Sequence, residues 1–253
     1  MLVQLPNGFV EGQDHFNHVE IEELKGKQQN YLANRELVVG NLGHIPKILE
    51  DLIVSIQTRE GIKWLGKNSE AINRLPVGDL ETLLVKIREK TYGSRFYHEA
   101  DCSNCGHKNK NLRLNLDQLK ITELPLKDLI TPKLVILPKS KLEVELKPLY
   151  LKDIFEVIKI NNKKQDSLVT SVIALSIKRI GDKLHNIEKE LENMSATDLS
   201  FIQEKMDEIV LQGSIDTDIE VACESCNKDF TIKLNCYDVS FLALTRGSTN
   251  SNI

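Results

Sequence analysis

Four of the five cysteines in this chain fall into two Cys-x-x-Cys pairs, Cys102/Cys105 and Cys223/Cys226. At that spacing both sulfurs of a pair can close on one ion. Four thiolates are the number a structural Zn²⁺ takes in its closed tetrahedral site, at about 2.3 Å per Zn–S contact. A site filled by four sulfurs keeps no open coordination position, so this chemistry is that of a clip and not of a catalyst. Zinc ribbons usually bring the second pair within about 20 residues of the first, whereas here the gap is roughly 120 residues. Three other readings of the thiols stand beside zinc. Disulfides require an oxidising compartment, and the opening MLVQLPNGFVEGQDH lacks the basic start and apolar core of a signal peptide. A redox Cys-x-x-Cys opens a helix after a strand, but these pairs are expected between strands and come in duplicate. Simple buried thiols are the third reading. His98 and His107 flank the first pair and could replace a ligand, although a place on the hairpin surface is the expectation for both. Cys236 is read as a buried, inert thiol.

The flanking residues say what must position these sulfurs. Phe96, His98, Ala100 and Cys102 share one parity, with Arg95, Glu99 and Asp101 on the other. That is the period-two pattern of a half-buried strand. Ile215, Ile219, Val221 and Cys223 alternate in the same way with Asp216, Asp218 and Glu220. Each pair then turns through Gly106 or Asn227 into a second alternating run, Leu112/Leu114/Leu116 or Phe230/Ile232/Leu234/Cys236. The pattern predicts two β-hairpins, each with a cysteine knuckle at its tip.

The rest of the chain alternates strands and helices. A turn at Pro6, Asn7 and Gly8 opens a short hairpin, and Val19 and Ile21 place a strand before Lys25-Gly26. The polar QQNYLANRE stretch follows as a short surface helix or loop. Ile45, Ile48, Leu49, Leu52, Ile53 and Ile56 recur at helical spacing behind Pro46, which predicts one buried amphipathic helix. Ile62, Trp64 and Leu65 form an apolar packing anchor. Asp79 is expected to cap a helix with Leu80, Leu83, Leu84 and Ile87 inward, with Lys86, Arg88 and Lys90 in its last turns and Gly93 as its stop. Between the knuckles, Leu134–Leu137 and Leu142/Val144/Leu146 predict a hairpin turning at Pro138–Lys141. Leu151, Ile154, Phe155 and Ile158 mark a helix broken at 161–165. Ser167 opens another with Val169, Val172, Ile173, Ile177 and Ile180 inward and Gly181 as its stop. Ser195 and Asp198 begin a last helix, with Leu199, Ile202, Met206, Ile209 and Val210 on one side and Gly213 beyond its end.

The fold class that emerges is α+β. Paired β-hairpins form a discontinuous zinc-ribbon-like unit, with an N-terminal β/helical region and a helical insertion between the knuckles. The expected organisation is 1–93 (hairpin and helices), 94–118 (first knuckle hairpin), 119–213 (hairpin plus helical insertion), 214–245 (second knuckle hairpin) and 246–253 (a polar, disordered tail). At 253 residues, a formal net charge of −4 and a pI near 5.9, the chain lacks the basic balance of a protein that coats nucleic acid. No apolar run reaches the roughly 18–20 residues that span a bilayer. The expectation is a soluble protein of a reducing cytosol with no membrane span, for which nucleic acid is not the expected partner.

Three passages resemble the baseplate proteins of contractile-tailed bacteriophages, the T-even-type hub and hub-assembly proteins. They are LPNGF with VEIEELKG; LPVGDLETLLVKIREKTYGSRFYHEADCSNCG; and MSATDLSFIQEKMDEIVLQGSIDTDIEVACESCNKDFTIKLNCYDVSFL. Arg88, Tyr92 and Gly93, the R-x-x-x-Y-G run ahead of the first cysteine pair, carry the most weight. The resemblance implies a non-enzymatic role in building or forming the baseplate hub, other tail proteins as partners, and Cys102, Cys105, Cys223 and Cys226 as the family site. It leaves open a permanent subunit or a transient assembly factor, and it does not set the oligomeric state. The chain contains no G-x-x-x-x-G-K-[ST], G-x-S-x-G or H-E-x-x-H motif. A zinc-ribbon nucleic-acid binder is the alternative, opposed by the acidic second hairpin, and a metal enzyme ranks third.

Overall fold

The computed structural model describes residues 1–34, 44–123, 131–161, 168–211 and 213–243, without the side chains of 158–161, 168–169 and 210–211. Strands β1 (Leu2–Glu11) and β2 (Asp14–Ile21) form the opening hairpin, followed by α1 (Gly26–Ala33) and α2 (Ile45–Leu52). Strand β3 (Ile53–Thr58) returns to complete an antiparallel sheet in the order β1-β2-β3. Helices α3 (Asn68–Asn73) and α4 (Gly78–Tyr92) lead to the first knuckle hairpin, β4 (Arg95–Asp101) and β5 (Lys108–Asn115). Strands β6 (Lys133–Ile136) and β7 (Glu143–Leu146) then precede α5 (Leu151–Asn161) and α6 (Leu168–Leu175). Strand β8 (Ile177–Ile180) pairs with β7, giving a second sheet ordered β6-β7-β8. After α7 (Ile187–Glu192) and α8 (Ala196–Leu211), the second knuckle hairpin is β9 (Asp218–Ala222) and β10 (Asp229–Lys233), and α9 (Val239–Leu242) closes the described chain. The fold is mixed α+β, built on small antiparallel sheets.

Two cores organise these elements. The first takes Val19 and Ile56 from the N-terminal sheet, Ile48 and Leu52 from α2, and Leu80, Leu83, Leu84 and Ile87 from α4. Both knuckle hairpins drain into it through Leu114, Leu116, Ile219, Phe230 and Ile232. The second packs Val144, Leu146, Ile177 and Ile180 against Ile173, Leu191, Ile202 and Met206. Two backbone sutures hold the halves together. Val77 N–H donates to the Leu149 carbonyl at 2.9 Å and Leu151 N–H to the Leu75 carbonyl at 2.8 Å. The chain leaves and re-enters the knuckle region through adjoining segments, where Ile121 bridges Ile215 and Thr122 N–H reaches the Ser214 carbonyl at 3.0 Å.

Four expectations are corrected. Helix α2 stops at Leu52, and Ile53 and Ile56 belong to β3, where Val19 pairs with Ile56. Ile177 and Ile180 likewise leave the helix and form β8, opposite Leu146 and Val144. In both cases a register irregularity lets residues three apart point inward from a strand, which imitates the helical period. Leu65 is 96% exposed and Ile62 51% exposed, so the expected anchor reduces to Trp64. The Trp64 ring lies edge-on to Phe9 and Phe16, at 5.4 and 5.7 Å between centroids. Asp79, finally, does not cap its own helix. It sits in the first turn of α4 and spends its carboxylate elsewhere.

That carboxylate ties α4 to β1. Oδ1 accepts from Asn7 N–H at 2.9 Å and from Asn7 Nδ2 at 3.1 Å, while Oδ2 accepts from Gly8 N–H at 2.8 Å. Here β1 breaks register between Gln4 and Phe9, and Gly8 takes φ +69°. The LPNG segment is thus a bulge whose freed N–H groups find their partner on a helix. Burial pushes the Asp79 carboxyl from its ordinary 3.8 up to about 7, against the pull of the Asn7 and Gly8 donors. Between those values the folded chain holds a proton that the unfolded chain has lost. The stabilisation is therefore fully present below about pH 4 and is lost as pH rises through about 7, by about 4 kcal/mol in all. Denaturant titrations of wild type and Asp79→Asn between about pH 5 and about pH 8 check this, because only the wild type should carry the downward slope.

Helix α8 has a similar restraint. Serine at position 195 accepts from Asp198 N–H at 3.2 Å, as a cap should, but the Asp198 carboxylate accepts from Lys139 N–H at 2.9 Å and Ser140 N–H at 3.0 Å. It secures the β6–β7 turn to α8. The inward placement expected for Ile158, Val169 and Val210, the start at Ser167 and the 246–253 tail all lie outside the described residues. Among the described residues no helix is long and apolar enough to cross a membrane.

Candidate metal centre

The two knuckles are built alike. Strand β4 runs into Cys102, whose N–H donates to the His107 carbonyl at 2.9 Å, while Gly106 N–H returns to the Cys102 carbonyl at 2.8 Å. In the second, Cys223 N–H donates to the Lys228 carbonyl and Asn227 N–H to the Cys223 carbonyl, both at 3.0 Å. Gly106 and Asn227 occupy equivalent turn positions with φ +71° and +55°, a region that glycine and asparagine tolerate best. In each knuckle the N–H two residues after the first cysteine points at its sulfur. Asn104 donates to Cys102 Sγ and Ser225 to Cys223 Sγ, each at 3.4 Å. At Cys223 this donor favours the thiolate.

The turns bring their sulfurs together across 118 to 124 positions of sequence. Cys102 Sγ lies 3.8 Å from Cys226 Sγ and Cys105 Sγ lies 3.7 Å from Cys223 Sγ. All four ligand atoms fall within 4.8 Å of one another, and all are free thiols. A disulfide would need about 2.05 Å. A tetrahedron with bonds of about 2.3 Å to its centre has edges of about 3.8 Å, so these separations suit a single tetrahedral ion. The donor set fits such a metal. Cys102 and Cys223 are buried, Cys226 is half-buried and Cys105 is exposed, so the cluster has a dry side and a wet side.

Electrostatics separate Cys223 from Cys105. The backbone N–H groups of Cys226 and Ser225 draw Cys223 down to about 6, against its desolvation. At Cys105 the His107 N–H works in the same direction, yet desolvation and the three neighbouring sulfurs carry that thiol up to about 12. One proton leaves readily and another is held by desolvation and the neighbouring sulfurs. A cation at the centre would reverse that balance and let all four ionise.

Side chains around the sulfurs brace the two hairpins against each other. Buried Asn109 donates through Nδ2 to the Ala100 and His107 carbonyls at 3.3 and 3.2 Å, and its Oδ1 accepts from Glu224 N–H at 2.9 Å. Asn104 Nδ2 reaches the Asp229 carbonyl at 3.0 Å. Asn109 escaped the sequence reading because β4 and β5 shift register between His98 and Ala100, which turns an odd-numbered residue inward beside the even-numbered leucines. The local sign was an asparagine directly after a knuckle, and that sign is weak. Neither His98 nor His107 joins the sulfur cluster. His98 is half-buried against Phe96, and burial lowers its pKa, while His107 is exposed and contributes its carbonyl. Cys236 is fully buried away from the cluster, and desolvation pushes its thiol up to about 12.

The R-x-x-x-Y-G run also has a structural place. Arg88, only 4% exposed, lies over the rings of Phe96 and Phe241 at 4.6 and 5.1 Å and donates to the Phe241 carbonyl. Tyr92 Oη donates to the Leu242 carbonyl at 3.1 Å. Together they fix α9 to the end of α4, where positive charge meets helix carbonyls.

Comparison with known proteins gives one family match. The family model described as "T4 bacteriophage base plate protein" matches residues 35–241, a span that holds both cysteine pairs. No significant match was found among the curated proteins or the solved structures.

Proposed function

Because the chain belongs to the T4 bacteriophage base plate protein family, with other phage tail proteins as its partners, we propose that it is a non-enzymatic component of the baseplate hub. In this reading it serves as a hub subunit or as the factor that assembles the hub in the host cytoplasm. A Zn²⁺ held by Cys102, Cys105, Cys223 and Cys226 shapes it. The observation that carries the proposal is the meeting of two remote knuckles at one four-sulfur cluster inside the family match. Zinc bound there would supply a cross-link, and folding energy along with it. The protein's own part is to present two preformed turns, aim N–H groups at the sulfurs and brace the tips through Asn109. A metal held there would join the segments that flank the second core in sequence, and the shape offered to neighbouring tail proteins would depend on it.

Two measurements test this. Elemental analysis of the purified chain should find one zinc per chain; iron in its place, or no metal, overturns the zinc assignment. Fractionation of infected cells should find the chain with hub intermediates or finished tails. Recovery only as a free protein, with no tail component, overturns the baseplate role and leaves the metal result standing.

A further inference from the structure

A cavity of 480 Å³ opens where β1 faces the segment leading into α5, within the range of recesses that accept ligands, about 300–1,000 Å³. Phe9, Pro132 and Pro148 give it apolar walls, and Arg74, Lys147 and Lys152 line it with positive charge. No carboxylate lines it among the described residues. Arg74 is fixed in advance. Its guanidinium lies 4.6 Å from the Phe9 ring centroid and 5.3 Å from that of Trp64, donates to the Val10 carbonyl at 2.9 Å and pairs with Glu11. Lys152 lies over the Tyr150 ring at 5.8 Å, and neither Lys147 nor Lys152 has an ion-pair partner among the described residues. Asp153, beside Lys152 on α5, accepts from Tyr150 N–H at 2.9 Å.

This arrangement asks for a ligand that brings carboxylates and an apolar side chain together. We propose that the cavity is the docking site for an extended acidic segment of a partner protein, with carboxylates on Lys147 and Lys152 and an apolar residue against Pro132 and Pro148. Charge complementarity carries the assignment. A nucleic acid would need a basic stripe along its backbone, whereas these cations converge on one recess of a chain whose net charge is −4. The occupant would touch both sides of the sutures at Val77–Leu149 and Leu75–Leu151 and so clamp the two cores together. The proposal goes beyond the baseplate reading, since no lining residue belongs to the cysteine hairpins.

The test uses the full chain and a fluorescent, end-capped hexapeptide of sequence Glu-Leu-Glu-Pro-Leu-Glu. Saturable binding is expected with Kd on the order of 100 µM, weakening as salt rises. Lys147→Gln combined with Lys152→Gln should weaken it by about tenfold or more, with melting and metal content unchanged. If the double variant melts early, exposed Lys152→Gln alone should give a smaller loss in a chain that melts normally. The proposal is overturned if the peptide does not bind, if the glutamine version of the peptide binds equally well, if folded variants bind unchanged, or if a hexathymidylate binds more tightly than the peptide.

Discussion

Cys105→Ser is expected to abolish the proposed zinc binding and to unfold the paired hairpins, although Cys105 is exposed and makes little of the core. A serine there removes one sulfur and almost no buried surface, so packing alone would make the change nearly neutral. If the four sulfurs hold zinc, the loss is a large share of the about 10–16 kcal/mol that such a site supplies to folding. Cys236→Ser provides the contrast. It places a hydroxyl in a fully buried position and should cost about 1–3 kcal/mol while leaving the metal in place. Zinc content by elemental analysis and thermal unfolding of the two variants read both outcomes. A Cys105→Ser chain that kept its zinc and its wild-type melt would end the ligand assignment.

Gly8→Ala is expected to be the most damaging glycine substitution in the N-terminal sheet. A Cβ at Gly8 would stand 2.6 Å from Asn17 Cβ and 2.7 Å from its Cα, and closer still to the Phe16 carbonyl oxygen. These are backbone or backbone-proximal atoms of β2 and have no room to rotate away. The left-handed φ adds about 1–2 kcal/mol, and any parting of the strands also pulls Gly8 N–H from Asp79. A total of about 4 kcal/mol or more is expected from strain and the orphaned carboxylate acceptor together. Gly12→Ala is the control: its φ is +61° with nothing within 4 Å, so only the conformational cost of about 1–2 kcal/mol should appear. Denaturant midpoints give both values, and equal losses would show that the bulge tolerates a side chain.

The residues that were easiest to read in the sequence were those whose signal is local. Parity placed Cys102 and Cys223 at the ends of strands, and Gly106 and Asn227 marked the turns that the structure contains. The α+β class followed from the same alternation. What resisted reading shares one physical cause. A bulge gives a strand one extra residue, so inward positions fall three apart or change parity. Ile53/Ile56 and Ile177/Ile180 therefore read as helix, and Asn109 carries no mark of its inward position in the alternation. Asp79 failed for a different reason: an acid after a Pro-Val-Gly turn looks like a cap, and only the tertiary fold reveals that Asn7 and Gly8 claim it. Leu65 has no such excuse in local pattern, since beside Trp64 it reads as core and yet lies in solvent.

The wide separation of the cysteine pairs also has a consequence during synthesis. Cys105 and Cys223 stand 118 positions apart, and at about 5–20 residues per second a ribosome needs on the order of ten seconds to cover that distance. For that interval the earlier thiols emerge without their counterparts, and a polypeptide released early can never complete the set. A chain cut short before Cys223 keeps one sulfur pair only and cannot form the four-sulfur cluster.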